Sequence, residues 1–204
     1  MNTIEPNFFI IGAPKCGTTA MSVYLRAHPN IFMSYPKEPH YFARDLHHHM
    51  ATESLKHYLS LFKKANPQIH KAIGEASVWY LFSAVAIEQI HQFNNEAKII
   101  VMLRNPIDMF ESLHAQTLYN RYEDQADPKI AWDRQTIRAD GRMIPLTCHE
   151  PKVLQYKAVV SLGKQMQKLY AIFPSNQILP IIFDDFKQNP EHEYSRVLTF
   201  LGIT

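Results

Sequence analysis

The stretch Phe8-Phe9-Ile10-Ile11-Gly12-Ala13-Pro14-Lys15-Cys16-Gly17-Thr18-Thr19-Ala20 decides the fold. An apolar run ends in a turn rich in Gly, Pro and Lys, and a helix-compatible run follows at once. That order predicts a strand, a loop and a helix. Backbone N–H groups at a helix start have no intrahelical partner and attract an anion. Lys15 adds a mobile positive charge, and Thr18 and Thr19 add hydroxyl donors. The segment is suited to gripping a phosphate or a sulfate ester. The nucleotide-binding loop G-x-x-x-x-G-K-[ST] has the same glycine interval as Gly12 and Gly17, but Thr18 stands where its lysine belongs. The cradle is kept and the lysine has moved inside the loop, which disfavours an ATP- or GTP-hydrolysing motor.

Working outward, Lys98-Ile99-Ile100-Val101-Met102-Leu103 reads as a strand buried on both faces. Arg104-Asn105-Pro106 ends it, and Pro106 suits the first turn of a helix. Arg104 therefore falls at a strand's C-terminal end, where open α/β sheets place ligands. Ser112 follows two turns into the helix. A guanidinium and a hydroxyl so placed can converge on one phosphate. A third segment, Tyr35-Pro36-Lys37-Glu38-Pro39-His40-Tyr41-Phe42, follows the short apolar run Ile31-Phe32-Met33. Its prolines predict an extended backbone, on which Glu38 and His40 face the same side. Gly74-Glu75-Ala76-Ser77-Val78-Trp79-Tyr80-Leu81 offers Glu75, Ser77 and Tyr80 as further polar groups, although core packing explains much of that run equally well.

These segments, in this order, resemble the sulfotransferases that use 3′-phosphoadenosine 5′-phosphosulfate (PAPS). Pro14-Lys15-Cys16-Gly17-Thr18-Thr19 is similar to their 5′-phosphosulfate loop, and Arg104-Asn105-Pro106 with Ser112 to their 3′-phosphate signature. Lys37-Glu38-Pro39-His40-Tyr41-Phe42 resembles the element of bacterial and glycan-type members, including the heparan sulfate group, whose glutamate is the proposed general base. The resemblance implies PAPS as donor and PAP as product, held by Lys15, Cys16, Gly17, Thr18, Thr19, Ala20, Arg104 and Ser112. It implies catalysis by Lys15 and Glu38 with His40 as partner, and acceptor contacts from Lys37, Glu75, Ser77 and Tyr80. The implied reaction is direct in-line transfer of a sulfuryl group to a hydroxyl, or an amine, without metal. The acceptor would be a small molecule, a lipid or a glycan.

Several positions depart from the family pattern. The auxiliary Arg of the second helix is replaced within Asp108-Met109-Phe110-Glu111. Val78 stands where Pro is usual, and Ala76 where some relatives carry a substrate-binding lysine, which argues against a strongly anionic glycan. The resemblance runs from about residue 6 to residue 203. Relatives continue into a loop rich in Lys, Gly and Arg that closes over the 3′-phosphate, and this sequence stops at Thr204 without it. Another chain, or the polar segment Arg121–Glu150, would have to substitute, or affinity is weakened. Three other readings stay open: a P-loop small-molecule kinase, a non-catalytic PAP-binding module, and an interaction protein with relic sites.

Composition fits one α/β domain over 1–204, with a central parallel sheet flanked by helices in a P-loop-like three-layer arrangement. A chain of 204 residues with 46% hydrophobic content can bury one good core. A net charge of +2 without a long basic run gives no sign of a nucleic-acid partner. Nothing reads as a membrane span or a signal peptide, so a cytoplasmic location is expected. A homo-oligomer is left open. Two cysteines, Cys16 and Cys148, make neither a metal spacing nor a disulfide framework. Cys16 at a helix start is a candidate for a lowered pKa, but reads better as a small residue fitting the loop. The triplet His47-His48-His49 cannot face one ion in regular structure, so no metal is expected.

Strands are expected at Phe8–Ile11, Ile31–Met33, Ala72–Gly74, Lys98–Leu103 and Gln177–Phe183. Helices are expected at Thr18–Ala27, Ser54–Phe62, Ser83–Phe93, Pro106–Tyr119, Pro151–Phe173 and Pro190–Leu201. Residues 121–150 read as a lid or insertion near the acceptor site, where Arg134, Arg138 and Arg142 would form a basic stripe if helical.

Overall fold

The computed structural model describes residues 4–46 and 54–203. The histidine triplet 47–49 lies outside them.

Five strands form one parallel sheet: β1 (Phe8–Ile10), β2 (Ile31–Met33), β3 (Ala72–Ala76), β4 (Lys98–Leu103) and β5 (Ile178–Ile182), in the order β2-β3-β1-β4-β5. Helices flank the sheet: α1 (Thr18–Ala27), α2 (Leu55–Ser60), α3 (Ala86–Phe93), α4 (Pro106–Tyr119), α5 (Pro128–Asp133), α6 (Gln135–Ala139), α7 (Tyr156–Val159), α8 (Leu162–Ile172), α9 (Phe183–Gln188) and α10 (Pro190–Leu201). The central strands are continuous apolar runs because helices cover both faces of a parallel sheet. Phe8, Phe9 and Ile10 of β1, and Ile99, Ile100, Val101 and Met102 of β4, are all fully buried.

Two local features fix the frame. Gly74 lets β3 lie close to β1: a Cβ there would fall 2.5 Å from the Phe8 carbonyl oxygen and ring. Asn105 caps α4 by accepting from the Ile107 N–H at 2.9 Å, with Pro106 in the first turn. The chain leaves β1 toward β2 on one side, and leaves β4 toward β5 on the other. The loops after β1 and β4 therefore flank the topological switch point, where open α/β sheets form their ligand crevice.

The interval expected to be one helix from Pro151 to Phe173 is broken. A 3-10 turn at Pro151–Leu154 gives way to α7 and then α8, with non-helical ψ of 64 at Gln155 and 55 at Ser161. Tertiary bonds accompany the first break. Gln155 Nε2 donates to the Gln135 carbonyl at 3.1 Å, and Gln135 Oε1 accepts from the Lys157 N–H at 2.6 Å.

Residues 121–150 contain α5 and α6, and the expected basic stripe does not exist. Arg138 is buried and meets Glu123 with two 2.6 Å bonds, a bidentate pair whose side chains are 0% exposed. Tyr156 donates to the same carboxylate at 2.8 Å. Burial pushes the Glu123 carboxyl up, but Arg138, a backbone N–H and Tyr156 outweigh it and hold the group at about 2. Arg134 and Arg142 face Asp124 and Asp140 instead of a common surface.

Candidate functional site

The crevice is a cavity of about 570 Å³ at the C-terminal ends of β1 and β4. Lys15, Gly17, Thr18 and Thr19 line it from the first loop, Arg104 and Ser112 from the second, and Glu38 and His40 from a third.

The first loop stays hydrogen-bonded to β4 beyond the end of β1. Ile11 N–H donates to Ile100, Met102 N–H to Gly12 and Ala13 N–H to Met102, at 3.1, 2.8 and 2.7 Å. Lys15 and Gly17 then take left-handed backbone, φ 64 and 84. Gly17 precedes α1 with no side-chain hydrogen bond capping the helix, so the α1 N-terminus keeps its donors for an anion. Gly17 also lies against the Phe183 ring, where a Cβ would sit 2.8 Å away. The Arg104 guanidinium lies over that ring, 5.0 Å from its centroid, and donates through Nη1 to the Lys15 carbonyl at 3.2 Å. Arg104 Nε is buried and has no hydrogen-bond partner among the described residues. A buried guanidinium N–H in that state is costly, and an anion would satisfy it.

The third loop corrects the expected backbone. Glu38 and His40 are not extended; both have positive φ, 66 and 50. Their side chains still meet, with His40 Nε2 2.9 Å from Glu38 Oε2. Three of the residues singled out for chemistry, Lys15, Glu38 and His40, thus hold sparsely populated backbone conformations, each a small energetic cost that its surroundings must offset. The fixings are visible. Glu38 N–H donates to the Ala76 carbonyl at 3.0 Å, Val78 N–H donates to Glu38 Oε2 at 3.0 Å, and Lys37 pairs with Oε1. Tyr41 and Phe42 anchor the loop in an aromatic cluster, Tyr41 stacking on Tyr58 at 4.7 Å. Burial raises the Glu38 carboxyl, but His40 and Lys37 overcome it and bring it down to about 2.

Other expected contacts fall elsewhere. Glu75, Ser77 and Tyr80 do not line the cavity; they are fully buried behind the third loop. For Glu75 the reason is topological: β3 lies between β2 and β1, and all five of its residues are buried. Ser77 and Tyr80 sit in the turn after β3, which the Ser77 and Leu81 N–H groups tie to the Ile10 and Ile11 carbonyls. Burial lifts the Glu75 carboxyl to about 7, against hydrogen bonds from Ser77, Tyr80 and Tyr58, with the Glu38 charge raising it further. Lys37 is engaged with Glu38 rather than the cavity wall. Cys16 turns into the interior and Ala20, half-buried, packs against the core; the Cys16 thiol donates to the Pro14 carbonyl, and burial pushes it up to about 12, so the lowered-pKa alternative fails. Within 121–150, Tyr122 borders the cavity. Sequence reasoning missed Trp79, Gln116, Asn120 and Phe183. The 112, 116, 120 spacing along α4 and its C-cap was a usable helical signal. Phe183 gave none, because its place depends on how β5 ends. Among the described residues no acidic, His or Cys cluster could hold a metal ion, and no helix is long and apolar enough to cross a membrane.

A parallel sheet with a cavity at its switch point, walled by a helix N-terminus and an arginine, defines an open α/β protein with its ligand crevice there. Residues 5–204 match the sulfotransferase domain family, and the chain belongs to it. It is 28% identical over 250 residues to mouse carbohydrate sulfotransferase 15, covering 97% of this chain and 44% of that protein. It is 26% identical over 207 residues to human bifunctional heparan sulfate N-deacetylase/N-sulfotransferase 2, covering 98% of this chain and 22% of that one. The chain thus spans less than half the length of these curated relatives. The crystal structure of a sulfotransferase from Alicyclobacillus acidocaldarius superposes with a TM-score of 0.86 at 27% identity, over 98% of this chain and 82% of that one.

Proposed function

We propose that the protein transfers a sulfuryl group from PAPS to an acceptor hydroxyl. The observation that carries this reading is the meeting of two separate anion grips and one carboxylate in a single cavity. One grip is the open N-terminus of α1 with Lys15, and the other is Arg104 with Ser112. The residues fit a nucleotide with phosphates at two places: the buried Arg104 Nε needs an acceptor, and the α1 N-terminus has no side-chain cap of its own. An ATP site fits less well, since Thr18 replaces the lysine that reaches the outer phosphates.

When bound, PAPS supplies a sulfuryl group on a phosphate leaving group. Lys15 and the α1 N-terminus would bind and stabilise negative charge at the 5′ end. Arg104 and Ser112 would hold the 3′-phosphate and so select against ADP and ATP. Glu38 would accept the acceptor's proton. A carboxyl near 2 is a weak base, so the proton moves late, after the attacking oxygen has become strongly acidic. His40 and the Val78 N–H hold Glu38 in place for that step.

The acceptor would be a neutral hydroxyl compound. The cavity's Lys15 and Arg104 are committed to phosphates, and Trp79, Gln116, Asn120 and Tyr122 offer stacking and neutral hydrogen bonds. The relatives' names make a carbohydrate the first acceptor class to screen, at a hydroxyl and at an amine.

Calorimetric titration with PAP, ADP and ATP, with and without Mg²⁺, tests the donor site. Metal-independent PAP binding at micromolar affinity or tighter, with ADP much weaker, is the expected result. Preference for ATP with Mg²⁺ would replace this reading with a kinase.

A further inference from the structure

We propose that Glu75 is a positioning residue for the Glu38–His40 segment, acting through the hydroxyls of Ser77 and Tyr80. The carboxylate is fully buried and does not reach the cavity. It accepts from Ser77 Oγ at 2.6 Å, from Tyr80 OH at 2.7 Å and from Tyr58 OH at 3.1 Å. Two of these hydroxyls go on to accept backbone N–H groups of the third loop. Ser77 Oγ accepts from His40 N–H at 3.0 Å, and Tyr80 OH accepts from Phe42 N–H at 3.4 Å.

The direction of the chain follows from chemistry. Above about pH 7, where the burial-raised Glu75 carboxyl is ionised, it only accepts, so each hydroxyl must spend its proton on Glu75 and turn its lone pairs outward. Those lone pairs meet the N–H groups on either side of Tyr41, which fixes the loop where His40 touches Glu38. Hydrogen bonds in series also polarise one another in a low-dielectric interior. The loop needs such fixing, because Glu38 and His40 both hold positive φ. Replacing the carboxylate by an amide of the same shape introduces a donor. One hydroxyl then loses its place for a proton and reorients, and the N–H it held is weakened.

This inference rests on Glu38 being the base, but its test does not require turnover. Amide hydrogen exchange above the Glu75 midpoint of about 7 is compared between the protein and Glu75→Gln, alongside PAP calorimetry. In Glu75→Gln, protection of the His40 and Phe42 amides is expected to fall at least about tenfold relative to β4, with PAP affinity within about twofold. A uniform loss across His40, Phe42 and β4, or unchanged protection, would overturn the positioning role. Should Glu75→Gln not fold, Ser77→Ala and Tyr80→Phe decide by the same readings at His40 and Phe42. Failure of the parent protein to bind PAP would strike the donor assignment and leave this result standing by itself.

Discussion

Arg104 Nη1 donates to the carbonyl of Lys15 at 3.2 Å, so the residue that ends β4 braces the loop that follows β1. The same guanidinium keeps its buried Nε for another acceptor. One side chain thus braces the loop after β1 and keeps a donor for the proposed 3′-phosphate.

Arg104→Ala is expected to weaken PAP by about 10- to 100-fold, the range for a lost charge-assisted hydrogen bond. ADP should weaken less, because it loses the brace on Lys15 and no 3′ contact. Arg104→Lys should recover little, since an ammonium cannot reproduce the planar fork. Calorimetry with both nucleotides checks this, and equal weakening would remove the 3′-phosphate assignment.

Glu38→Gln is expected to leave PAP affinity unchanged and to lower turnover by roughly 10²-fold or more. The amide can still accept from the Val78 N–H, so the loop should hold while proton acceptance is lost. Single-turnover PAP release, once an acceptor is found, checks the second half. Turnover equal to the parent's would exclude Glu38 as the base.

Gly17→Ala is expected to cost stability and donor affinity together. The new methyl group would meet the Phe183 ring at 2.8 Å, at a φ of +84 that L residues rarely adopt. A loss of about 1–3 kcal/mol in urea denaturation is the predicted scale. Adding Phe183→Leu should relieve the clash but leave the backbone strain, so recovery should be partial.

Glu123→Ala is expected to destabilise the protein by about 3 kcal/mol or more at pH 7, because it strands Arg138 in the interior. The pH dependence has a fixed sign. The Glu123 carboxyl lies below its ordinary value of 4.5, at about 2, so its contribution is complete above about 4.5 and is lost as pH falls toward 2. The gap between parent and variant in urea denaturation should therefore narrow in that window. A gap that stays constant would show that the pair's charge adds nothing.

Much of the frame was legible in the sequence. The bounds of β2, β4, α1, α4 and α10 follow from apolar runs punctuated by Gly and Pro, as at Leu103-Arg104-Asn105-Pro106. What was not legible depended on partners distant in sequence. The Glu38–His40 contact was expected from an extended strand-like backbone and arises from two left-handed residues tied to β3. Glu75 and Tyr80 looked like pocket residues because local pattern cannot tell that β3 is an interior strand, nor that the turn after it folds back onto β1 and buries Tyr80. Arg138 looked like surface because its partner, Glu123, is identified by the fold of 121–150 rather than by any helical spacing. Phe183 looked like the end of a strand, yet it opens α9 and closes against Gly17.

The brace between Lys15 and Arg104 joins residues 89 apart in the chain. During synthesis, the first anion loop is complete long before β4 has left the ribosome. A nascent chain arrested before Lys98 can form neither the β1–β4 pairing nor the Arg104 brace. Domains assembled from such distant contacts acquire them late. Capture of stalled chains on immobilised PAP would therefore begin only after β4 and α4 emerge, which makes the ligand a clock for completion of the sheet's centre.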